Sequence, residues 1–242
     1  MTLKVIAYAR NGFTDKFGIP RQSREESGIE TRIVFEPEYS VPEALRGIDG
    51  FSHLWLLWGF SKVQGDGVPC AREWSPTVRP PRLGGNKRMG VFATRSPFRP
   101  NPIGLTSVRL IGVKANGESG RMELIVSGAD LLDGTPIYDI KPYLSFSDSH
   151  PDAANGFAEA TADYTLEVRM ADECGRDVPD KVLHDITEIL RQDPRPAYQD
   201  DPTREYKMDY AGWRVTFVVE ANGKEPNGNY SGTVLVRKIE KI

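Results

Sequence analysis

The stretch RMGVFATRSPFRPNPIGLT, residues 88–106, sets three arginines and three prolines between apolar flanks. Pro97, Pro100 and Pro102 fix φ and push the preceding residues toward extended backbone, so Arg95, Arg99 and Asn101 are displayed with little entropy left to lose. A guanidinium held in this way can clasp a carboxylate or phosphate in a bidentate pair, and Asn101 can read the edge of an amide or base. Gly104 lets backbone approach a ligand closely. In KFGIPRQ, Pro20 stiffens the chain just before Arg21 and Gln22; a turn with two solvated side chains explains that segment equally well. A further segment, SGADLLDGTPIYDIKPYLSFSD, alternates carboxylates with turn residues and carries Lys141 between Asp139 and Tyr143. Asp130 and Asp133 serve as turn caps at least as readily as in catalysis. Taken with the basic loop, these carboxylates suit a ligand that bears both signs of charge.

Other chemistries find no support. The chain has no G-x-G-x-x-G after a strand, no phosphate-binding G-x-x-x-x-G-K-[ST], no H-E-x-x-H and no G-x-S-x-G. His53, His150 and His184 lack metal-ligand spacing, and Cys70 and Cys174 form no C-x-x-C, so the expectation is no metal and no disulfide framework. His53, at a strand entrance beside Ser52, reads as a hydrogen-bonded structural residue.

The formal charge of −3 conceals an asymmetry. From Trp74 through Gly117 there is no Asp or Glu, while Arg79, Arg82, Lys87, Arg88, Arg95, Arg99, Arg109 and Lys114 make the stretch net +8 and leave −11 for the remainder. A basic face on an acidic protein concentrates phosphates or nucleic acid. The first residues, MTLKVIAYAR, lack the apolar core of a signal peptide, and FSHLWLLWGF is too short to span a bilayer, which points to the cytoplasm and no membrane association.

The elements that must position these groups are mostly strands. LKVIAYA from 3, TRIVF from 31, HLWLLWGF from 53, MGVFAT from 89, LTSVRLIGV from 105 and MELIVSG from 122 are short β-compatible runs separated by turn residues, which predicts a mainly β antiparallel sandwich or barrel. The continuous apolar run at 53–60 reads as a strand buried on both sides or at an interface, with Trp55 and Trp58 in the core. SVPEALRG predicts a short helix with a Ser40/Glu43 capping box, Pro42 in its first turn and Gly47 at its end. At about residue 150 the texture turns polar (DSHPDAANGFAEATAD), placing a boundary between domains 1–150 and 151–242. Beyond it, Val182, Leu183, Ile186, Ile189 and Leu190 recur at helical spacing until Pro194, and GWRVTFVVEANG and GTVLVRKI read as two strands, so the tail is a small α+β unit.

Together GIPRQ, FSHLWLLWGF, TVRPPRLGGNKRMGVFATRSPFRPNPIGLT, DLLDGTPIYDIKPY and DPRPAYQ, in this order over nearly the whole chain, resemble the TsaA-like family and within it the TrmO tRNA methyltransferases. The resemblance implies a small antiparallel β-barrel followed by the α+β C-terminal domain, S-adenosyl-L-methionine as cofactor, and methylation of N6 of threonylcarbamoyladenosine beside the tRNA anticodon. It implies a homodimer with the cofactor site near the subunit interface. Carried over by motif position, the cofactor site comprises Pro20, Arg21, Gln22, Phe60, Ser61, Arg95, Leu105, Ser127, Gly128, Ala129 and Asp130. Asp139, Lys141 and Tyr143 are the candidates for orienting or deprotonating the acceptor nitrogen, unless that segment only builds a turn and a dimer contact. Arg79, Arg82, Lys87, Arg88 and Arg99 would then meet phosphates of the tRNA anticodon loop, and DPRPAYQ would help place it. The alternative reading is a non-catalytic RNA-binding barrel that stacks bases without chemistry.

Overall fold

Six antiparallel strands close into a barrel around an apolar interior. The computed structural model describes residues 2–15, 17–19, 28–60, 74–80, 87–117, 120–161, 165–171, 174–195, 201, 203–224 and 230–242. The chain divides into two compact units, Met1–Asn11 with Arg21–Asp148, and Gly12–Pro20 with Ser149–Ile242.

The first unit holds β1 (Ala7–Arg10), β2 (Glu30–Phe35), β3 (His53–Gly59), β4 (Thr77–Val78), β5 (Met89–Gly90), β6 (Ile103–Ala115), β7 (Met122–Ser127), β8 (Pro136–Pro142) and a four-residue helix, α1 (Ser145–Asp148). The barrel runs β1-β2-β7-β6-β3-β8, with β8 returning to β1, and every pairing is antiparallel. Its interior is filled by Ala7, Ala9, Ile33, Phe35, Leu54, Leu56, Trp58, Val108, Leu124, Val126, Leu131 and Ile137. On β3 only alternate residues, Leu54, Leu56 and Trp58, point inward; Trp55 and Leu57 lie half-buried outside. This corrects the expectation of a strand buried on both sides with Trp55 in the core. Trp55 instead packs on the Tyr143 ring and donates its Nε1 to Asp148 Oδ2 at 2.8 Å.

Three local expectations also change. SVPEALRG forms a 3-10 turn over Pro42–Leu45, not a capped α-helix, and no side chain caps it. Ser40 Oγ is already engaged, accepting from the Met122 N–H at 2.7 Å. Gly47 follows with φ 85°, and a second 3-10 turn over Ile48–Gly50 leads into β3. MGVFAT contributes two strand residues before turning into a 3-10 turn over Val91–Ala93, where the Val91 carbonyl accepts from the Thr94 N–H and hydroxyl. The closing strand β8 comes from TPIYDIKPY, whose sequence suggests turn and site residues and not a strand.

The second unit is a four-stranded sheet in the order β10-β11-β12-β9, from β9 (Glu167–Met170), β10 (Tyr206–Tyr210), β11 (Trp213–Lys224) and β12 (Tyr230–Lys241). Its helix α2 (Asp180–Arg191) buries Ile186, Ile189 and Leu190 as their spacing predicts, while Val182 and Leu183 are half-buried. Residues 12–20 belong here, with Phe13 edge-on to Tyr210 and Phe17 stacked on Tyr206 and Phe217. At the start of DPRPAYQ, Asp193 and Arg195 form a buried two-point ion pair at 2.8 and 3.0 Å; residues 196–199 lie outside the described ones.

Candidate active site

Where β7 ends at Ser127, the chain turns through Gly128, whose φ of 83° disfavours any side chain, and Ala129 to Asp130. Ser127, Gly128 and Ala129 are buried and Asp130 is partly so. The Asp130 carboxylate does not face the barrel interior unaided: Thr106 Oγ1 donates to Asp130 Oδ1 at 2.7 Å, and Trp58 Nε1 donates to Thr106 Oγ1 at 3.0 Å. An indole nitrogen only donates, so the Thr106 hydroxyl accepts from it and has its single hydrogen left for the carboxylate. Burial pushes the Asp130 carboxyl above its ordinary value, opposed by the Thr106 hydrogen bond, its own backbone N–H and the charge of Arg95.

Arg95 stands exposed on the loop that follows the Val91–Ala93 turn, and that loop is tied by more than its prolines. Ser96 N–H donates to Thr94 Oγ1, Phe98 N–H to Ser96 Oγ, and Arg99 N–H to the Pro97 carbonyl. Arg99 Nη1 donates back to the carbonyls of Thr94 and Ser96 at 3.1 and 3.2 Å, so this arginine staples the loop that presents Arg95. Phe60 meets Trp58 edge to face at 4.4 Å and its N–H donates to the Pro102 carbonyl, which brings the end of β3 to the same rim.

A second group lies on the outer wall. Register places Leu105, Leu57 and Asp139 in one row across β6, β3 and β8, with Ser107, Trp55 and Lys141 in the next. Two strand spacings put Leu105 and Asp139 roughly 10 Å apart by backbone. Lys141 Nζ pairs with Asp139 Oδ2 at 3.1 Å, both exposed, and Asp139 Oδ1 accepts from the Ile140 N–H at 3.0 Å. Tyr143 packs between His53 and Trp55. His53 Nδ1 lies 2.8 Å from Ser52 Oγ, in keeping with a structural role.

The predicted residues therefore fall into two sets. Arg95, Phe60 and Ser127 to Asp130 gather at the rim; Leu105, Asp139, Lys141 and Tyr143 share the outer wall, with Leu105 on the opposite side of β6 from Thr106. Pro20, Arg21, Gln22 and Ser61, like Arg82 of the basic stretch, lie outside the described residues. Sequence reasoning missed Thr106 and took Trp58 as packing alone. The available signal was alternation: in GLTSV, Thr106 shares the inward face with Gly104 and Val108, and an inward hydroxyl requires a partner. Among the described residues no cluster of His, Cys, Asp and Glu could hold a metal ion, and no helix is long and apolar enough to cross a membrane. The rim thus offers a carboxylate, a guanidinium and turn backbone to a ligand with both signs of charge.

The chain is similar to known proteins along most of its length. Residues 8–149 match the family described as the tRNA-methyltransferase O N-terminal domain, and residues 163–226 match the TrmO C-terminal domain. A tRNA (adenine(37)-N6)-methyltransferase of Eikenella corrodens is 51% identical over 173 residues, covering 70% of this chain and 92% of that protein. The protein of the same name from Escherichia coli K12 is 41% identical over 221 residues, 88% of this chain and 89% of its own. A crystal structure of TrmO from Pseudomonas aeruginosa superposes with a TM-score of 0.71 at 30% identity, covering 99% of this chain and 98% of that one.

Proposed function

Because the chain belongs to the TrmO family of tRNA methyltransferases, we propose that it transfers a methyl group from S-adenosylmethionine to N6 of the threonylcarbamoyladenosine beside the tRNA anticodon. The observation that carries this reading is the Asp130 carboxylate, held at the barrel rim by Thr106 and under the charge of Arg95.

The residues present fit the cofactor's chemistry. S-adenosylmethionine carries a carboxylate, an ammonium, an adenine and a sulfonium, and when bound it supplies an electrophilic methyl group. Arg95 would hold the carboxylate, and Asp130 with the Ser127 to Ala129 backbone would meet the cationic and hydrogen-bonding groups. Phe60 supplies apolar contact at the rim, while Leu105 of the outer wall and Pro20, Arg21, Gln22 and Ser61 join the site by motif position alone. Much of the rate then comes from alignment, which a loop tied as tightly as 94–103 favours. The acceptor nitrogen is conjugated with a carbonyl and is a poor nucleophile; Asp139, paired with Lys141, is the candidate proton acceptor, and Tyr143 is a candidate for orienting the nitrogen. The barrel unit carries methyl transfer and the second unit helps position the tRNA, in a cytoplasmic homodimer. Support for the dimer is the row of exposed apolar residues on β6: Ile103, Leu105 and Ile111.

Incubation with S-adenosylmethionine and threonylcarbamoylated tRNA, followed by digestion and mass spectrometry of the nucleosides, tests the reading. One methyl gained on that adenosine alone is expected. RNA binding with no methyl gain and no cofactor binding would instead identify a non-catalytic RNA-binding barrel.

A further inference from the structure

We propose that Trp58 and Thr106 are positioning residues, forming a two-bond relay from the barrel interior that fixes Asp130 to accept the ammonium group of the methyl donor's amino-acid end. The inference rests on the cofactor reading of the rim given above. The indole N–H is donated to the Thr106 oxygen and the Thr106 hydrogen to Asp130 Oδ1; among the described residues no other side chain donates to this carboxylate, whose remaining lone pairs can accept from a ligand. Trp58 and Thr106 are both buried in the barrel wall, so the relay is anchored in packed core and not in solvent. The partner chemistry follows from Arg95. In the donor, carboxylate and ammonium sit on one carbon, so a guanidinium and a carboxylate that feel each other's charge match both at once. The groups acting on Asp130 are Thr106 from β6, Arg95 from the preceding loop and the turn's own backbone N–H; Trp58 from β3 acts through Thr106. Burial raises the Asp130 carboxyl and the Thr106 bond opposes that rise, so loss of the hydroxyl should let protonation abolish ligand binding at a higher pH.

The test is calorimetry across a pH series with two ligands that need no turnover: S-adenosylhomocysteine, which keeps the amino-acid end, and 5′-methylthioadenosine, which lacks it. Thr106→Val should weaken S-adenosylhomocysteine about tenfold at neutral pH and move the acid limb of its binding upward by ~1 pH unit. Thr106→Ser should restore both, and methylthioadenosine affinity should not change. Trp58→Phe keeps an aromatic ring opposite Gly104 but removes the donor; its acid limb should move the same way by less, which provides an independent arm should Thr106→Val not fold. Equal weakening of both ligands with an unmoved acid limb, in whichever variant folds, overturns the relay. If Asp130→Asn weakens S-adenosylhomocysteine while Thr106→Val does not, the relay falls and the site stands. If the unaltered protein binds neither ligand, the cofactor reading itself falls.

Discussion

The role proposed for Asp130 is one that costs stability. Its carboxyl holds its proton more tightly in the folded chain than at the ordinary 3.8, chiefly through burial. Well below 3.8 both states are protonated and the group contributes nothing. As the pH rises through the folded value the native state must ionise a desolvated acid, and stability falls. Asp130→Asn is therefore expected to raise the Tm of the ligand-free protein at pH 7, with the gain vanishing in acid, while cofactor affinity drops. Asp209 provides the opposite sign: the Arg214 guanidinium, hydrogen-bonded at 2.8 and 2.7 Å, holds its carboxyl below the usual value. That contribution is present above 3.8 and lost as the pH falls through the lowered value. Asp209→Asn should thus lower stability at pH 7 and converge with the unaltered chain in acid. Thermal scans of both variants from acid to neutral pH check the pair, and parallel pH dependences would contradict the assignment.

At the scale of elements, β6 shows how register creates a site. Trp58 pairs with Gly104, and a Cβ at Gly104 would stand 2.2 Å from the indole, so only glycine lets the ring lie across β6 and reach Thr106. Gly104→Ala is expected to push the indole aside, costing roughly 1–3 kcal/mol by overpacking, and to weaken cofactor binding in the same way as is expected of Thr106→Val. Ala115→Ser, exposed at the far end of the same strand, should leave the Tm nearly unchanged. Denaturant unfolding followed by tryptophan fluorescence separates the two. This dependence on register explains what could be read in advance. The β-compatible runs of β2, β3, β6 and β7 and the helical spacing of α2 announce themselves, because apolar residues concentrate in short stretches bounded by turns or recur at the helical period. β8 does not, since Pro136 and Pro142 bracket it and its middle carries Asp139 and Lys141; barrel closure makes it a strand, not local propensity. Phe13 and Phe17 lie far in sequence from the sheet they pack on, so nothing local assigns them to the second unit. Of the site, the displayed Arg95 was legible from its prolines, whereas the link from Trp58 to Asp130 needs three strands in register and is invisible in any one of them.

For the whole molecule, the problem is to hold a polyanion on a chain of net charge −3. Uniformly spread charge would repel tRNA; the stretch free of carboxylates from Trp74 through Gly117 is the part of the chain whose charge suits it. Within that stretch the cations are not equivalent. Arg88 Nη1 donates to Thr77 Oγ1 across the β4-β5 pair and remains exposed, whereas Arg99 Nη1 is engaged by loop carbonyls. Between them Phe92 projects with 73% of its surface exposed, an apolar face that suits stacking on an unpaired base. The two kinds of contact respond differently to salt. Neutralising a phosphate releases counterions, so Arg88→Ala should weaken binding of an anticodon stem-loop RNA and reduce the slope of log K against log salt by about 1. Stacking releases none, so Phe92→Ala should cost ~1–3 kcal/mol at every salt concentration with the slope unchanged. Arg99→Ala should loosen the loop and reduce cofactor affinity as well as RNA affinity. Fluorescence anisotropy over a KCl series distinguishes the three, and a slope that Arg88→Ala leaves untouched would remove this face from the tRNA path.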